Sequence, residues 1–294
     1  MAAARGLQDH LAGGQTTTCH CWLLERRDGR RYGFTDHDGP LHFEGIDFRP
    51  ESGLAARALV QSTGLAVDNS EALGALSDAA IGAAEIEQGR FDGAEVTAWL
   101  VNWADPAQRE VQFRGTLGEI LRAEGHFRAE LRGLTEGLNR PLGRVYQKPC
   151  TAVLGDAGCG VDLAAPGMQL ELAAEEVVDR QRLSWGEIAG FDAGWFAGGW
   201  LEVLEGPAAG LKGLIREDRS GPEGRSLVLW APIRGEVAQG TLLRLTAGCD
   251  RRAETCRLKF DNLLNFRGFP DLPGEDWVMA VPKAGGANGG GSRR

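Results

Sequence analysis

Four of the six cysteines fall in two close pairs, Cys150 with Cys159 and Cys249 with Cys256. Each pair sits among loop formers, as Lys148-Pro149-Cys150 … Gly158-Cys159-Gly160 and Gly248-Cys249 … Thr255-Cys256. Two short-loop pairs brought together make a four-thiolate site, which suits an iron–sulfur cluster or a structural zinc. Such a site constrains the fold. The chain between the pairs becomes an inserted module whose ends the site closes, and a clip across a long loop gains most against loop entropy. Eight residues separate the first pair and six the second. Zinc knuckles usually space paired cysteines by two to four, so the wider loops suit a larger inorganic core without excluding zinc. The plainer reading is four incidental cysteines acting as small core residues.

Cysteine redox state depends on compartment. The N-terminus, Met1-Ala2-Ala3-Ala4-Arg5-Gly6-Leu7, has no apolar h-region, so it does not read as a secretory signal. The chain is therefore expected to start in the cytoplasm, where thiols stay reduced and a metal site explains close pairs better than disulfides do. No apolar run approaches the ~20 residues that span a bilayer. The formal net charge of -9 excludes an overall basic footprint for nucleic acid. The local run Arg26-Arg27-Asp28-Gly29-Arg30-Arg31 reads as a hairpin turn, because Asp-Gly is a strong hairpin signal. A length of 294 residues allows two or three domains.

Short alternating runs dominate. Cys19–Leu24 and Arg31–Thr35 flank the Asp28-Gly29 turn, and Leu41–Glu44 and Ile46–Phe48 flank Gly45. Over Ala94–Trp103, Val96, Ala98 and Leu100 lie on one face and Thr97, Trp99 and Val101 on the other, which predicts burial on both sides. Glu110–Leu121 and His126–Leu131 read as a strand pair with Gly125 at the turn. Further strands follow at Gly199–Leu204, Gly213–Asp218, Ser226–Trp230 and Thr241–Leu245, at the spacing of a small sandwich or barrel. Ala173–Leu183 reads as extended. One short helix is expected over Ser77–Gln88, with Ser77 as N-cap and Gly89 as stop. The fold class is thus mainly β, with several small β domains (sandwich or barrel-like), few short helices and a cysteine-ligated cluster domain. The expected organisation is an N-terminal β-rich part over 1–145, a cluster-binding domain from 146–175 plus 247–280, an inserted β module over 176–246, and a Gly-rich tail over 281–294 that is flexible in isolation.

Other motifs are weaker. On a strand, Cys19 and Cys21 share a face and His20 takes the other, but two thiols do not complete a tetrahedral site. Thr35-Asp36-His37-Asp38-Gly39 has letters used in cation binding or proton relay. A turn held by Asp side-chain hydrogen bonds accounts for the same letters. Arg251, Arg252, Arg257, Lys259 and Arg267 flank the second pair and would offset the negative charge of a thiolate cluster. Asn262, Asn265, Phe266, Gly268, Phe269, Pro270 and Pro273 read as a packed, turn-rich strap. There is no Gly-x-Ser-x-Gly elbow, His-Glu-x-x-His, phosphate loop or dinucleotide fingerprint. No catalytic residue is therefore assigned.

The run Gly248-Cys249-Asp250-Arg251-Arg252 … Cys256-Arg257-Leu258-Lys259-Phe260-Asp261-Asn262 … Asn265-Phe266-Arg267-Gly268-Phe269-Pro270 resembles the C-terminal signature of tail-hub proteins of long-tailed phages and gene transfer agents. Asp28-Gly29 … Gly33-Phe34-Thr35-Asp36-His37-Asp38, Gly89-Arg90-Phe91-Asp92-Gly93-Ala94 and Val101-Asn102-Trp103 resemble the same family less specifically. The resemblance implies a baseplate hub similar to the lambda-type tail tip protein, with a [4Fe–4S] cluster on Cys150, Cys159, Cys249 and Cys256 and structural zinc as the alternative. It implies a structural role and not an enzyme, between a distal tail protein ring and terminal tip or spike proteins. A tail-associated peptidase is a further implied partner. A homotrimer is the first expectation and a hexamer the second, with assembly into the tail tip of a released particle. The competing reading is a metal-dependent, tail-associated cell-wall hydrolase. Four cysteines would saturate the metal and leave no open position for such chemistry.

Overall fold

The computed structural model describes residues 2–50, 69–70, 82–123, 126–133, 143 and 145–273. The chain divides into two compact units, Met1–Leu142 and Gly143–Arg294. Both are built mainly of β-strands. The expected N-cap Ser77, the turn at Gly125 and the Gly-rich tail lie outside the described residues.

Unit 1 begins with helix α1 (Ala2–Ala12), which the sequence reading did not anticipate. Its Leu7 is fully buried, and the helix packs on β7 (Arg109–Ala123). His10 Nε2 accepts the Thr17 N–H at 3.0 Å and ties the helix to the strand that follows. The sheet runs in the order β3 (Leu41–Phe43), β4 (Ile46–Arg49), β2 (Arg31–Thr35), β1 (Thr18–Glu25), β6 (Glu95–Asn102), β7, β8 (His126–Gly133) and β5 (Asn69–Ser70). Its pairs are antiparallel except β2 with β4. The two-sided apolar pattern of β6 gives the sheet a core on each face. Val96 and Ala98 join Trp22, Leu24, Phe34 and Phe113, while Trp99 and Val101 join Cys19, Cys21, Phe43 and Phe48. Each large side chain so buried stabilises by about 1.5–3 kcal/mol.

The Asp28-Gly29 turn joins β1 to β2, with Gly29 at φ 82 and Asp28 Oδ1 accepting the Arg30 N–H. Arg26 is buried behind this turn. It donates to Asp28, to Tyr32 and to Glu85 on α2 (Ala83–Glu87), and lies over the Phe91 ring. The Asp36–Gly39 turn is held by side chains: Asp36 accepts the His20 N–H at 2.6 Å and meets its ring at 2.9 Å. His37 stacks on Trp103.

Unit 2 carries a sheet ordered β10 (Glu176–Val178), β11 (Arg182–Trp185), β14 (Gly224–Leu229), β13 (Lys212–Gly221), β12 (Trp200–Val203), β15 (Leu242–Thr246) and β9 (Gln169–Ala173). Alternation along β12, β14 and β15 puts Leu201, Val203, Leu227, Leu229, Leu243 and Leu245 into one core around Phe196. β9 lies in the stretch assigned above to the cluster domain, yet it pairs with β15 and so joins this sheet. Asp218 and Arg225 face each other across β13 and β14 with almost no exposure and two hydrogen bonds of 2.7–2.8 Å. Arg225 also donates to the carbonyls of Phe191 and Asp192, and Asp218 accepts the Phe196 N–H. The pair therefore fixes the 191–196 loop onto the sheet. That loop's end and the end of β15 carry the second cysteine pair to its place.

Candidate four-cysteine centre

All four predicted ligands lie in unit 2, and Cys150, Cys159, Cys249 and Cys256 line one small cavity. Its wall is completed by Ala152, Leu154, Val161, Phe260 and Phe266 among others. All six cysteines of the chain are free thiols. Cys19 and Cys21 are elsewhere, buried in unit 1 against Thr35.

The first loop is organised by Asp156. Its Oδ2 accepts the Val153 N–H at 2.8 Å, its Oδ1 the Cys159 N–H at 2.7 Å, and its carbonyl the Gly160 N–H at 2.7 Å. Those amide donors hold the Asp156 carboxyl below its usual range. The Gly-rich segment 155–160 is thus a loop closed on a carboxylate rather than a phosphate cradle.

The second loop leaves β15 through Gly248. A Cβ there would lie 1.8 Å from the Ala197 carbonyl oxygen, so only glycine fits. Arg251 follows at φ 63, a region that costs a non-glycine residue of order 1–3 kcal/mol and recurs at ligand clamps. This turn aims the Arg251 N–H at Cys249 Sγ (3.3 Å), and its carbonyl accepts the Cys150 N–H (2.9 Å). The two loops are therefore joined at the backbone. Helix α3 (Ala253–Leu258) then presents buried Cys256.

The expected strap closes the arrangement. After a 3₁₀ turn at Leu263–Asn265, the Arg267 N–H donates to Cys150 Sγ at 3.3 Å and its Nε to the Gly158 carbonyl at 3.2 Å. Gly268 passes so close to Lys148 and Pro149 that no Cβ fits. Asn262 Nδ2 reaches Cys159 at its carbonyl (2.6 Å) and its sulfur (3.7 Å). Cys256 donates its S–H to the Asn262 carbonyl. Of the five flanking cations, Lys259 is the surprise. It is half-buried over Trp195, donates to the carbonyls of Trp195 and Gly248, and burial lowers it to about 8 against the pull of Cys249, Asp218 and Asp250.

Burial raises the thiols of Cys249 and Cys256, and the negative charges of neighbouring thiolates add to it. A cation or metal core at these sulfurs would take up the negative charge that burial penalises at Cys249 and Cys256. The donor set fits such a core: soft sulfur ligands with N–H donors on three of the four. Among the described residues, no three His, Cys, Asp or Glu converge on a single ion position. The sequence marks the four cysteines as candidates and puts Asn262 in the strap, but does not point to Asp156, to the donor roles of the Arg251 and Arg267 amides, or to the bond from Asn262 to Cys159. Backbone donors leave no signature in residue type, and Asn262 acts across 103 positions.

Residues 4–162 match the family model described as baseplate hub protein, N-terminal attachment domain, and 194–276 match that of phage conserved hypothetical protein BR0599. The first match contains Cys150 and Cys159, the second Cys249 and Cys256. A chain of the solved virion of a native gene transfer agent particle is 53% identical, covering 97% of this chain and 98% of that one, with a TM-score of 0.89. No curated protein matches.

Proposed function

The chain belongs to the baseplate hub family, and from that premise we propose that it is a structural hub at the tail tip of a phage-like particle, a gene transfer agent. The observation that carries this reading is the 53% identity to a virion chain over almost the whole length of both. In this role unit 1, which contains most of the attachment-domain match, joins the distal tail protein ring. Unit 2 joins the terminal tip or spike proteins and a tail-associated peptidase. A closed ring of identical copies suits a tail axis, as a trimer first and a hexamer second. No described helix is long and apolar enough to cross a membrane.

We further propose that Cys150, Cys159, Cys249 and Cys256 hold a [4Fe–4S] cluster, with structural zinc as the alternative. A core bound there supplies an inorganic crosslink between the two loops. The common cavity, the N–H donors on sulfur and the half-buried Lys259 cation, which a negatively charged core would hold protonated, support the reading. Its role in this reading is structural: the four cysteines would ligate every metal position and leave none open for substrate.

Two outcomes are expected. Imaging of particles from cells lacking this chain should show tails without a tip, and particles carrying a tagged copy should show the label at the tip only. Labelled chain spread along the tail would contradict the tip location, and cell-wall cleavage by the purified chain that Asp36→Asn abolishes would favour the hydrolase reading. Separately, Cys249→Ser should make unit 2 far more protease-sensitive, because ligand binding and folding are coupled over several kcal/mol. Cys21→Ser changes one core side chain of unit 1 and should cost about 1 kcal/mol. Equal resistance of unit 2 in the two variants would count against the ligand assignment. Lys259→Met should cost about 1–3 kcal/mol by stranding the Gly248 carbonyl and leaving the Trp195 carbonyl with the Gly248 N–H alone, measured by urea unfolding. An unchanged midpoint would show those carbonyls to be hydrated.

A further inference from the structure

We propose that Asn262 is the latch of the centre: its side-chain amide locks the first cysteine loop to the second and, with the cluster in place, donates to the Cys159 sulfur and governs how firmly the cluster is retained. This inference rests on the cluster reading above.

Every polar atom of Asn262 is hydrogen-bonded, to the two loops or to Asn265. Its backbone N–H donates to the Cys256 carbonyl at 2.9 Å, and its own carbonyl accepts the Cys256 S–H at 3.2 Å. The second of these bonds belongs to the thiol form, because a ligating thiolate has no proton to give. Nδ2 donates to the Cys159 carbonyl at 2.6 Å and lies 3.7 Å from its sulfur. Oδ1 accepts the Asn265 Nδ2 at 2.7 Å. The amide orientation is thus determined twice. A flipped Asn262 would face the Cys159 carbonyl with oxygen and the Asn265 amide with nitrogen, and both contacts would turn repulsive.

The surroundings keep this geometry. Asp261, just before Asn262, is held at φ 46, a non-glycine residue in the left-handed region. Asn265, which orients Asn262, packs beside Gly160, whose φ of 71 favours glycine. Cys150 and Cys249 receive backbone donors that no side-chain substitution removes. Among the described contacts to the four sulfurs, Cys159 alone takes its N–H donor from a side chain. Partners that orient ligands and hydrogen-bond to cluster sulfur control retention and potential.

Asn262→Asp tests this. It is isosteric and keeps an oxygen for Asn265, but replaces the donor with a carboxylate oxygen against Cys159. In the anaerobically reconstituted full chain, cluster loss to an iron chelator, followed at about 400 nm, should be 10–100-fold faster than in wild type. Glu223→Gln, in the exposed β13–β14 turn, should match wild type. In metal-free Asn262→Leu, which removes the amide donor without placing a charge beside the thiol, alkylation of Cys159 by iodoacetamide, read residue by residue by mass spectrometry, should rise about fivefold, the factor one hydrogen bond is worth, while Cys249 stays unchanged. Cluster loss within twofold of wild type, or unchanged Cys159 alkylation, would overturn the latch. A wild-type chain that takes up neither iron nor zinc would overturn the cluster and the retention role together, and the alkylation arm would then decide the loop lock alone. If Asn262→Asp does not fold, Asn265→Ala, which frees the Asn262 amide without touching Cys159, carries the same expected directions at smaller size.

Discussion

Asp218→Ala is expected to destabilise unit 2 by about 3–5 kcal/mol, because removing one partner of a buried ion pair leaves the other charge uncompensated. Arg225 would keep its bonds to the Phe191 and Asp192 carbonyls but lose both carboxylate contacts, and the Phe196 N–H would lose its acceptor. Phe196 is at the centre of the core, so the damage should spread to the whole unit. Urea unfolding of the variant measures it. The double variant Asp218→Leu with Arg225→Met removes both charges and should recover much of the loss, since apolar replacements of buried pairs are often neutral or stabilising. A single variant within 1 kcal/mol of wild type would mean that water reaches the pair. A double variant no better than the single would mean that the pair's loop contacts, not its charge balance, hold the unit.

Gly248→Ala should be comparably severe. The added methyl would fall 1.8 Å from the Ala197 oxygen and 2.7 Å from the Gly199 nitrogen, and these are backbone atoms that cannot rotate away. Relief requires moving the turn after Phe196 away from the end of β15, which displaces Cys249. Losses above about 4 kcal/mol are exceptional and follow from such backbone conflicts. The expected result is insoluble chain or a unit 2 that unfolds at much lower denaturant than unit 1, together with failure to take up metal. Gly210→Ala is the contrast: that glycine has positive φ but open space around it, so its cost should be limited to backbone strain of about 1–3 kcal/mol. Equal effects at the two positions would show that steric overlap at 248 relaxes locally.

The strands were legible where burial alternates. β1, β6 and β14 carry period-two patterns, and the two-faced pattern of β6 correctly anticipated a core on each side of the unit 1 sheet. The Asp28-Gly29 turn was legible because only glycine takes its backbone angle at little cost. Helix α1 was not: Ala2–Ala12 is Ala-rich and its apolar residues set no clear periodic stripe, so packing on β7 supports the helix. β9 was missed for a related reason. Its half-exposed alternation becomes a strand only through pairing with β15, far along the chain. The four cysteines declared themselves by spacing and by setting. What surrounds them did not. Asp218 and Lys259 look like surface charges in sequence, and nothing in Arg-Glu-Asp-Arg or Leu-Lys-Phe marks which one is buried. Burial of single polar residues is decided by tertiary neighbours, whose identity no local window contains.

If the two cysteine pairs close around one inorganic core, the purified chain carries its signature. Absorption and metal analysis of anaerobically purified full-length chain test it most directly. The expected result is brown protein with broad absorption at about 400 nm, iron and acid-labile sulfide in equal amounts, and four thiols shielded from alkylation while Cys19 and Cys21 react only on unfolding. Colourless protein with one zinc per chain would replace the cluster and keep the site. Protein without iron or zinc, with Cys150, Cys159, Cys249 and Cys256 all freely reactive in the native state, would contradict it.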